Sequence, residues 1–454
     1  MLKKPVGVKP EWCELDARAR LERLSTRRRL TMRARAILLI LPCVLSVAPT
    51  AQAACGWSDA GTLSNARDLH TATLLDDGRA LIVGGESNGS YLASVDAFSP
   101  QTASWSAAPP LPEGRDQHLA VLLDDGRLLV AGGYGATTYL DSAVLFDPEA
   151  EVWLPAPSMH EARLGASAVK LDDGRVLVIA GYNNAGLTAS AELFDGDWQS
   201  AGSLATPRNR HASALLASGD VLVVGGFGGP NALASAERWS VVTELWSNAG
   251  SLAEARWGHV VVRLTDGRVL IAGGRAESFV ASAELYDPVA GSFEAAGSMS
   301  HAREAARAAL LADGRVLVTG GRDASGAMTS CELYDPATDA WTEAPSLANA
   351  RADHALAVLP DGDVLVAGGQ GKDGPFASTE RLSLSAPCDG GAGGGDVGAG
   401  GAGGSAAGGA EDSGDGCSCR AAPARATAGA AATVLALAIF GRRRRLRASR
   451  TRTS

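Results

Sequence analysis

Arginine is the charged residue that recurs most regularly in the sequence, once every 45 to 48 residues, at Arg67, Arg115, Arg163, Arg208, Arg256, Arg303 and Arg351. Two interpretations are open. Gathered around one axis, the guanidinium groups would form an electropositive mouth that binds carboxylates or anionic sugars. Alternatively they have internal partners, since an acid recurs in six units, at Asp96, Glu192, Glu237, Glu284, Glu332 and Glu380. Sevenfold repetition favours the internal role, because a site for one ligand does not need seven arginines.

Histidine follows this arginine in five units, at His70, His118, His211, His259 and His354. Zinc ligands must lie about 2.1 Å from the metal, whereas equivalent positions of neighbouring repeats are much farther apart. The pattern therefore predicts no metal site and no cofactor here. The Asp-Asp-Gly triplets at 76–78, 124–126 and 172–174 are interpreted as hairpin turns, with calcium ligation as the less favoured alternative.

An aromatic residue marks the same repeat seven times, at Trp57, Trp105, Trp153, Trp198, Trp246, Phe293 and Trp341. Self-similarity at such a period indicates a repeat architecture. Unit five shows the elements: 259–264 (strand A), 269–272 (strand B), 282–286 (strand C) and the segment around Phe293 (strand D). Asp-Gly between strands A and B predicts a two-residue hairpin in which both central residues have positive φ.

A glycine pair ends strand B in six units, at 84/85, 132/133, 225/226, 273/274, 320/321 and 368/369, and unit three has Ala180-Gly181. With a downstream Tyr and a Trp spaced after it, this order resembles the Kelch family over roughly residues 55–388. The resemblance implies an all-β fold, a seven-bladed β-propeller of four-stranded blades. Its enzymes include copper-radical oxidases and sugar mutarotases. The copper type needs a Cys–Tyr pair beside the channel, and no cysteine takes an equivalent inward position.

Counting strands predicts how the ring closes. Trp57 has no strands A to C before it, and the last set of strands has no Trp strand after it. The first strand should therefore complete the last blade. Closure would bring Cys55 close to Cys388, which predicts a disulfide between them. Cys331 is interpreted as a small buried core residue.

The two ends of the chain indicate export. Residues 1–53 resemble a signal peptide with an Ala51-Gln52-Ala53 cleavage site, and Met32 is an alternative start. The propeller is assigned to 54–388 and a Gly-rich linker to 389–416. Residues 417–454, with Cys417, Cys419, a short apolar run and four consecutive arginines, resemble the C-terminal sorting tail of myxobacterial surface proteins. That implies recognition by sorting machinery, cleavage near Cys417 and retention at the outer surface; a short membrane anchor is the alternative.

The charge distribution argues against a nucleic-acid partner. Residues 36–419 carry 21 basic and 46 acidic side chains, a net charge of −25. A body this acidic lacks the positive field that binds phosphates.

Strand parity predicts which face binds. The A–B and C–D links lie on one face of a propeller, and the B–C and D–A links lie on the other. The B–C links vary most, and loops that vary on a rigid scaffold carry function. Directly after the glycine pair stand Glu86, Tyr134, Tyr182, Phe227, Arg275, Arg322 and Gln370. The sequence thus favours a surface binding module for a glycan or protein over two alternatives, a sugar-converting enzyme and a passive structural surface protein.

Overall fold

The computed structural model describes residues 56–384, and these residues form seven four-stranded antiparallel sheets. The signal segment, Cys55, Cys388, the linker and the tail lie outside the described residues. Within 56–384 no helix is long and apolar enough to cross a membrane.

Blades 1 to 4 follow one another along the chain after β1 (Gly56–Thr62). Blade 1 contains β2 (Thr71–Leu74), β3 (Ala80–Val83), a small hairpin of β4 (Glu86–Ser87) and β5 (Ser90–Tyr91), β6 (Val95–Ser99) and β7 (Ser104–Ala108). Blade 2 contains β8 (Leu119–Leu122), β9 (Leu128–Ala131), β10 (Ala143–Asp147) and β11 (Val152–Ala156). Blade 3 contains β12 (Ser167–Lys170), β13 (Val176–Asn183), β14 (Gly186–Phe194) and β15 (Trp198–Ser203). Blade 4 contains β16 (Ala212–Leu215), β17 (Val221–Val224), β18 (Ser235–Trp239) and β19 (Trp246–Ser251).

Blades 5 to 7 complete the ring. Blade 5 contains β20 (Val260–Arg263), β21 (Val269–Ala272), β22 (Ala283–Asp287) and β23 (Ser292–Ala296). Blade 6 contains β24 (Arg307–Leu310), β25 (Val316–Thr319), a small hairpin of β26 (Arg322–Asp323) and β27 (Gly326–Ala327), β28 (Cys331–Asp335) and β29 (Ala340–Ala344). Blade 7 contains β30 (Ala355–Val358), β31 (Val364–Ala367) and β32 (Ser378–Ser383).

The first strand of the chain closes the ring, as the strand count predicts. β1 is the outermost strand of blade 7, antiparallel to β32, with Gly56 opposite Ser383 and Trp57 opposite Leu382. The innermost strands of neighbouring blades contact one another all the way round, and β30 contacts β2. They therefore enclose a central channel.

Strand B is the most buried element of each blade, because it lies between two strands of its own sheet and packs against the neighbouring sheets. Its apolar side chains, such as Leu81, Val130 and Val223, are almost completely buried. Cys331 is also buried in strand C of blade 6, in line with its interpretation as a core residue.

The repeated tryptophan joins neighbouring blades. Its indole Nε1 donates a hydrogen bond to a main-chain carbonyl of the preceding blade, for example from Trp153 to Pro109 at 2.8 Å and from Trp341 to Gly297 at 2.7 Å. Trp57, on the strand that closes blade 7, does the same towards blade 6, donating to the carbonyl of Pro345 at 2.8 Å. This marker residue therefore has a structural role.

The Asp-Gly signal predicts the hairpin correctly, but the turn type is different. In blade 1 the Leu75 carbonyl accepts a hydrogen bond from Gly78 N–H (3.0 Å), and Leu75 N–H donates to the Arg79 carbonyl (2.8 Å). Gly78 has φ 84°, whereas Asp77 is not left-handed. The loop therefore has three residues and ends in a glycine bulge. Asp77 accepts hydrogen bonds from the main chain and side chain of Arg79, so it stabilises the turn.

Candidate functional site

The repeated arginines are buried inside the blades, in the links that lead into strand A. Arg163 shows the arrangement: Nη1 donates to the carbonyls of Ala180 and Ser190 (2.9 and 2.8 Å), and Nη2 donates to Ser190 Oγ and Glu192 Oε1 (both 2.8 Å). All seven side chains are at most 1% exposed, and six pair with the strand C acid of their own unit.

This geometry corrects the electropositive-mouth interpretation. A guanidinium group with its donors used inside the blade has none to offer a ligand, so the anion-binding assignment is withdrawn for Arg67, Arg115, Arg163, Arg208, Arg256, Arg303 and Arg351. The internal role is the one that the structure supports. Blade 2 is the exception in detail: Val144 stands in place of the acid, and Nε of Arg115 has no hydrogen-bond partner among the described residues.

The repeated histidines lie beside the channel, and four of the five connect neighbouring blades through Nε2, whereas neither ring nitrogen of His259 has a hydrogen-bond partner among the described residues. Nε2 of His118 lies 2.9 Å from Thr71 Oγ1, and Nε2 of His211 lies 2.7 Å from Ser167 Oγ. Burial, helped by nearby arginines, lowers the pKa of His118, His211 and His259 to about 3. These imidazoles are neutral structural groups, and residues 56–384 contain no cluster of three His, Cys, Asp or Glu that could hold a metal ion.

The mouth of the channel is built from one left-handed residue per blade, at Leu69, Gln117, Gly165, Arg210, Gly258, Ala305 and Asp353. Main-chain hydrogen bonds of 2.9 to 3.1 Å connect six of the seven neighbouring pairs of these residues, as in Gly258 N–H to the Arg210 carbonyl. The mouth is therefore rigid. It opens on a cavity of about 260 Å³ that is also lined by Trp257 and Arg307.

The seven residues after the glycine pair surround this mouth, as strand parity predicts. Each forms a β-bridge with the D–A link of its own unit, for example Tyr134 with Asp116 and Arg275 with Trp257. The B–C and D–A links thus share one face, which we call the B–C face. The close approach requires glycine: a Cβ on Gly133 would lie 2.3 Å from the Asp116 carbonyl oxygen.

Four of the six tyrosines of the chain form a continuous aromatic cluster on blades 1 to 3 of the B–C face. Ring centroids are 5.2 Å apart for Tyr91 and Tyr134, 4.9 Å for Tyr134 and Tyr139, and 5.6 Å for Tyr139 and Tyr182. The sequence singled out Tyr134 and Tyr182, and the structure adds Tyr91 and Tyr139, which hold them together. We call these four residues the tyrosine cluster.

A second cluster, on blades 4 and 5, combines arginine with aromatic rings. The Arg210 guanidinium lies 5.2 Å from the ring centroid of Trp257, and the Arg275 guanidinium lies 5.9 Å from it and 4.8 Å from that of Phe279. Phe227 packs against Trp257 at 6.4 Å. Such stacking orients guanidinium groups while leaving edge donors for a ligand. Arg275 Nη1 also lies 3.7 Å from Glu304 Oε1 in an ion pair.

Three further predicted residues are occupied within the protein. Arg322 forms ion pairs with Glu304 and Asp353, both at 3.0 Å. Gln370 Nε2 donates to the carbonyl of Gly371 (3.1 Å). Glu86 lies against Asp68, and burial followed by the charge of Glu86 raises the pKa of Asp68. All three side chains shape the rim of the mouth. Of the three, only Glu86 belongs to a cluster of acids that has no basic partner among the described residues.

Sequence reasoning missed Asp68, Asp116, Arg210, Trp257 and Arg307. They stand one, two or four positions after the repeated arginine, where the residue type varies from unit to unit. The sequence did contain a signal for these residues, because they occupy the variable positions of an otherwise regular repeat. Strand parity places the D–A links beside the B–C links, so their variable residues belonged in the predicted site.

Comparisons with known proteins agree with this architecture. The Kelch motif matches residues 70–112, 118–160, 208–253 and 305–348, so the chain carries Kelch repeats. A solved structure of a fungal alcohol oxidase of the AA5 family, in complex with copper, superposes with a TM-score of 0.60 at 18% sequence identity. The match covers 72% of this chain and 76% of the oxidase. That likeness concerns the fold. No curated protein sequence matches the chain significantly.

Proposed function

We propose that this Kelch-repeat propeller is a binding module that holds its ligand on the B–C face. The observation that carries the proposal is how the polar and aromatic side chains are divided between the interior of the ring and the channel mouth. The repeated Arg and His are buried, the repeated Trp are buried or partly buried, and nearly all of them form hydrogen bonds within the ring, whereas the residues that differ between blades gather around the channel mouth. Variation concentrated at one rigid, partly exposed surface is what a ligand site requires.

The side chains at this face suit a protein ligand. The tyrosine cluster and Trp257 supply large, stiff aromatic surfaces, and Arg210 and Arg275 supply donors in fixed positions. Tyr, Trp and Arg are the residues that dominate protein interfaces. Kelch propellers commonly bind proteins. A glycan would use the same aromatic faces for stacking, so it remains the second ligand class.

Catalysis is the weaker interpretation for residues 56–384. The channel histidines are buried and neutral, Tyr286 and Tyr334 are buried in the core, and Cys331 lies in strand C of blade 6. Burial raises the pKa of the Cys331 thiol to about 11, which is opposite to what a reactive cysteine needs.

We further propose that the module works outside the cytoplasm. Support comes from the sequence alone: the signal-like residues 1–53, the Gly-rich linker at 389–416 and the tail at 417–454 with Cys417 and Cys419. The tail would be recognised by sorting machinery or would hold the protein at a membrane.

Site-directed photocrosslinking on intact cells tests the proposed face. A photoreactive residue at Thr137, exposed in the B–C loop of blade 2, should yield a discrete crosslinked partner. The same residue at Val289, which is 96% exposed on the opposite face, should not. A partner captured only from Val289 would contradict the proposal, and sugar turnover by the purified protein would replace it with an enzymatic function.

A further inference from the structure

Three carboxyl groups on the B–C face lack a basic partner. Asp68, Glu86 and Asp116 lie on blades 1 and 2, and none forms an ion pair with Arg, Lys or His within the described part of the chain. The buried acids of strand C are different, because each pairs with its arginine. Negative charge is thus left unbalanced on the rim of blades 1 and 2, partly on buried carboxyl groups.

Two of these carboxyls are buried. Asp68 is 6% exposed and Asp116 is 5% exposed, and Oδ1 of each has no hydrogen-bond partner in residues 56–384. A buried acid without a basic partner is costly unless something compensates its charge. Burial, with the charges of Glu86, Asp353 and Asp116, raises the pKa of Asp68 to about 7, and burial raises the pKa of Asp116 to about 6.

The tyrosine cluster adjoins these acids. The pKa of Tyr91 is raised by burial and then by the charges of Asp116 and Glu86, so its phenol lies within their field. Tyr134 contacts Tyr91 by its ring and pairs with Asp116 by its main chain. Aromatic faces beside carboxylates attract the same kind of ligand, because both favour a positive charge.

We propose that Asp68, Glu86, Asp116 and the tyrosine cluster receive a cationic side chain, a lysine or arginine, from a partner protein. The cation would lie against the tyrosine rings beside the half-buried carboxylate of Glu86, with the buried charges of Asp68 and Asp116 beneath it. This inference rests on the proposed function and names the chemistry of one part of the ligand.

An organic cation fits better than a metal ion. The acids are spread over two blades, and no three acidic or metal-ligating side chains of the described residues converge as a metal site requires. A lysine or arginine side chain tolerates that spacing, since its charge acts over several ångströms and its methylene stem packs on aromatic rings.

The test uses the full chain and two capped tripeptides, acetyl-Gly-Lys-Gly-amide and the same peptide with the lysine Nε acetylated. Affinity is measured by NMR titration at about pH 8 in low salt. We expect the lysine peptide to bind the wild type at least tenfold more tightly than its acetylated form. We expect Asp116→Asn and Glu86→Gln each to reduce this preference at least threefold.

Glu277→Gln is the matched control, because it removes one exposed negative charge from the B–C loop of blade 5 on the same face. It should change the preference less than twofold. Asp116→Asn removes a buried charge that has no ion-pair partner among the described residues, so it should melt no lower than the wild type, and weaker binding by it cannot be attributed to unfolding.

Three results would overturn the inference: equal binding of both peptides, unchanged preference in Asp116→Asn and Glu86→Gln, or a preference that appears only with added Ca²⁺. If Thr137 still crosslinks a partner while the lysine preference is absent, the cation inference fails and the binding face stands. If neither is observed, both proposals fail.

Discussion

Gly56 lies opposite Ser383 in the sheet that closes the ring. Cys55 precedes Gly56 directly, and Cys388 follows Ser383 by five residues. The register of β1 and β32 therefore brings the ends of the propeller to one edge of blade 7, although neither cysteine is among the described residues.

We predict a Cys55–Cys388 disulfide in the exported protein. It would close a loop of roughly 330 residues and, on chain entropy, stabilise the fold by about 5 kcal/mol at most. Peptide mapping without reduction should recover the two cysteines linked, and Cys55→Ser/Cys388→Ser should lower the melting temperature. Free thiols at both positions would contradict the prediction.

The C-terminal segment should be dispensable for folding but needed for retention. A chain ending at Cys388 keeps every strand from β1 to β32. We expect it to melt as the full chain does and to appear in the culture medium, measured by fractionation and immunoblotting. A truncated protein that stays on the cell would exclude the tail as the anchor.

Breaking an internal arginine–acid pair should destabilise the ring severely. Glu237 pairs with Arg208 at 2.8 Å, with both side chains buried, so Glu237→Ala leaves an uncompensated buried charge and should cost about 3–5 kcal/mol in the free energy of unfolding. Glu294→Ala, which removes an exposed partner of Arg268, should cost less than about 1 kcal/mol. Urea denaturation measures both, and similar losses would contradict the internal role.

The buried acids on the rim give stability a recognisable pH dependence. Their pKa values are raised, to about 7 for Asp68 and about 6 for Asp116, so the folded state binds these protons more tightly than the unfolded chain does. Their contribution to stability therefore falls as pH rises from about 4 to about 7. Asp116→Asn should stabilise the protein by about 1–2 kcal/mol at pH 8 and much less at about pH 4.5.

The buried histidines act in the opposite direction, since burial lowers the pKa of His118, His211 and His259 and stability is lost as pH falls below about 6.5. The readout is therefore the difference between Asp116→Asn and wild type at each pH. A variant that is less stable than wild type at pH 8 would show that the Asp116 charge is compensated.

Repetition explains how much the sequence could predict. Trp105, Gly133 and Asp77 recur in register, so blade number, closure and the face shared by the B–C and D–A links followed from counting and strand parity. The burial of Arg163 could not be predicted that way, because a repeated arginine is equally compatible with a ring of donors to a ligand and with hydrogen bonds inside each blade. Only its bonds to Ser190 and Glu192 distinguish the two.

The non-repeated residues were harder to interpret. Tyr91 and Tyr139 stand inside variable loops, and their contact with Tyr134 depends on loop conformation, which no periodicity encodes. The unbalanced charge of Asp68 and Asp116 depends on which arginines are already paired, and that is a property of the assembled ring.

The most direct test of the binding face compares two sets of substitutions in the crosslinking assay on intact cells. The first, Tyr134→Ala, Tyr182→Ala and Trp257→Ala, removes aromatic surface from the B–C face. The second, Val242→Ala, Leu245→Ala and Val289→Ala, removes exposed apolar surface from the opposite face, where these side chains are 87%, 67% and 96% exposed. With the photoreactive residue at Thr137, we predict that the first set reduces capture of the partner at least tenfold and that the second leaves it within twofold of wild type. Capture that survives the first set and is lost with the second would show that the ligand binds the opposite face.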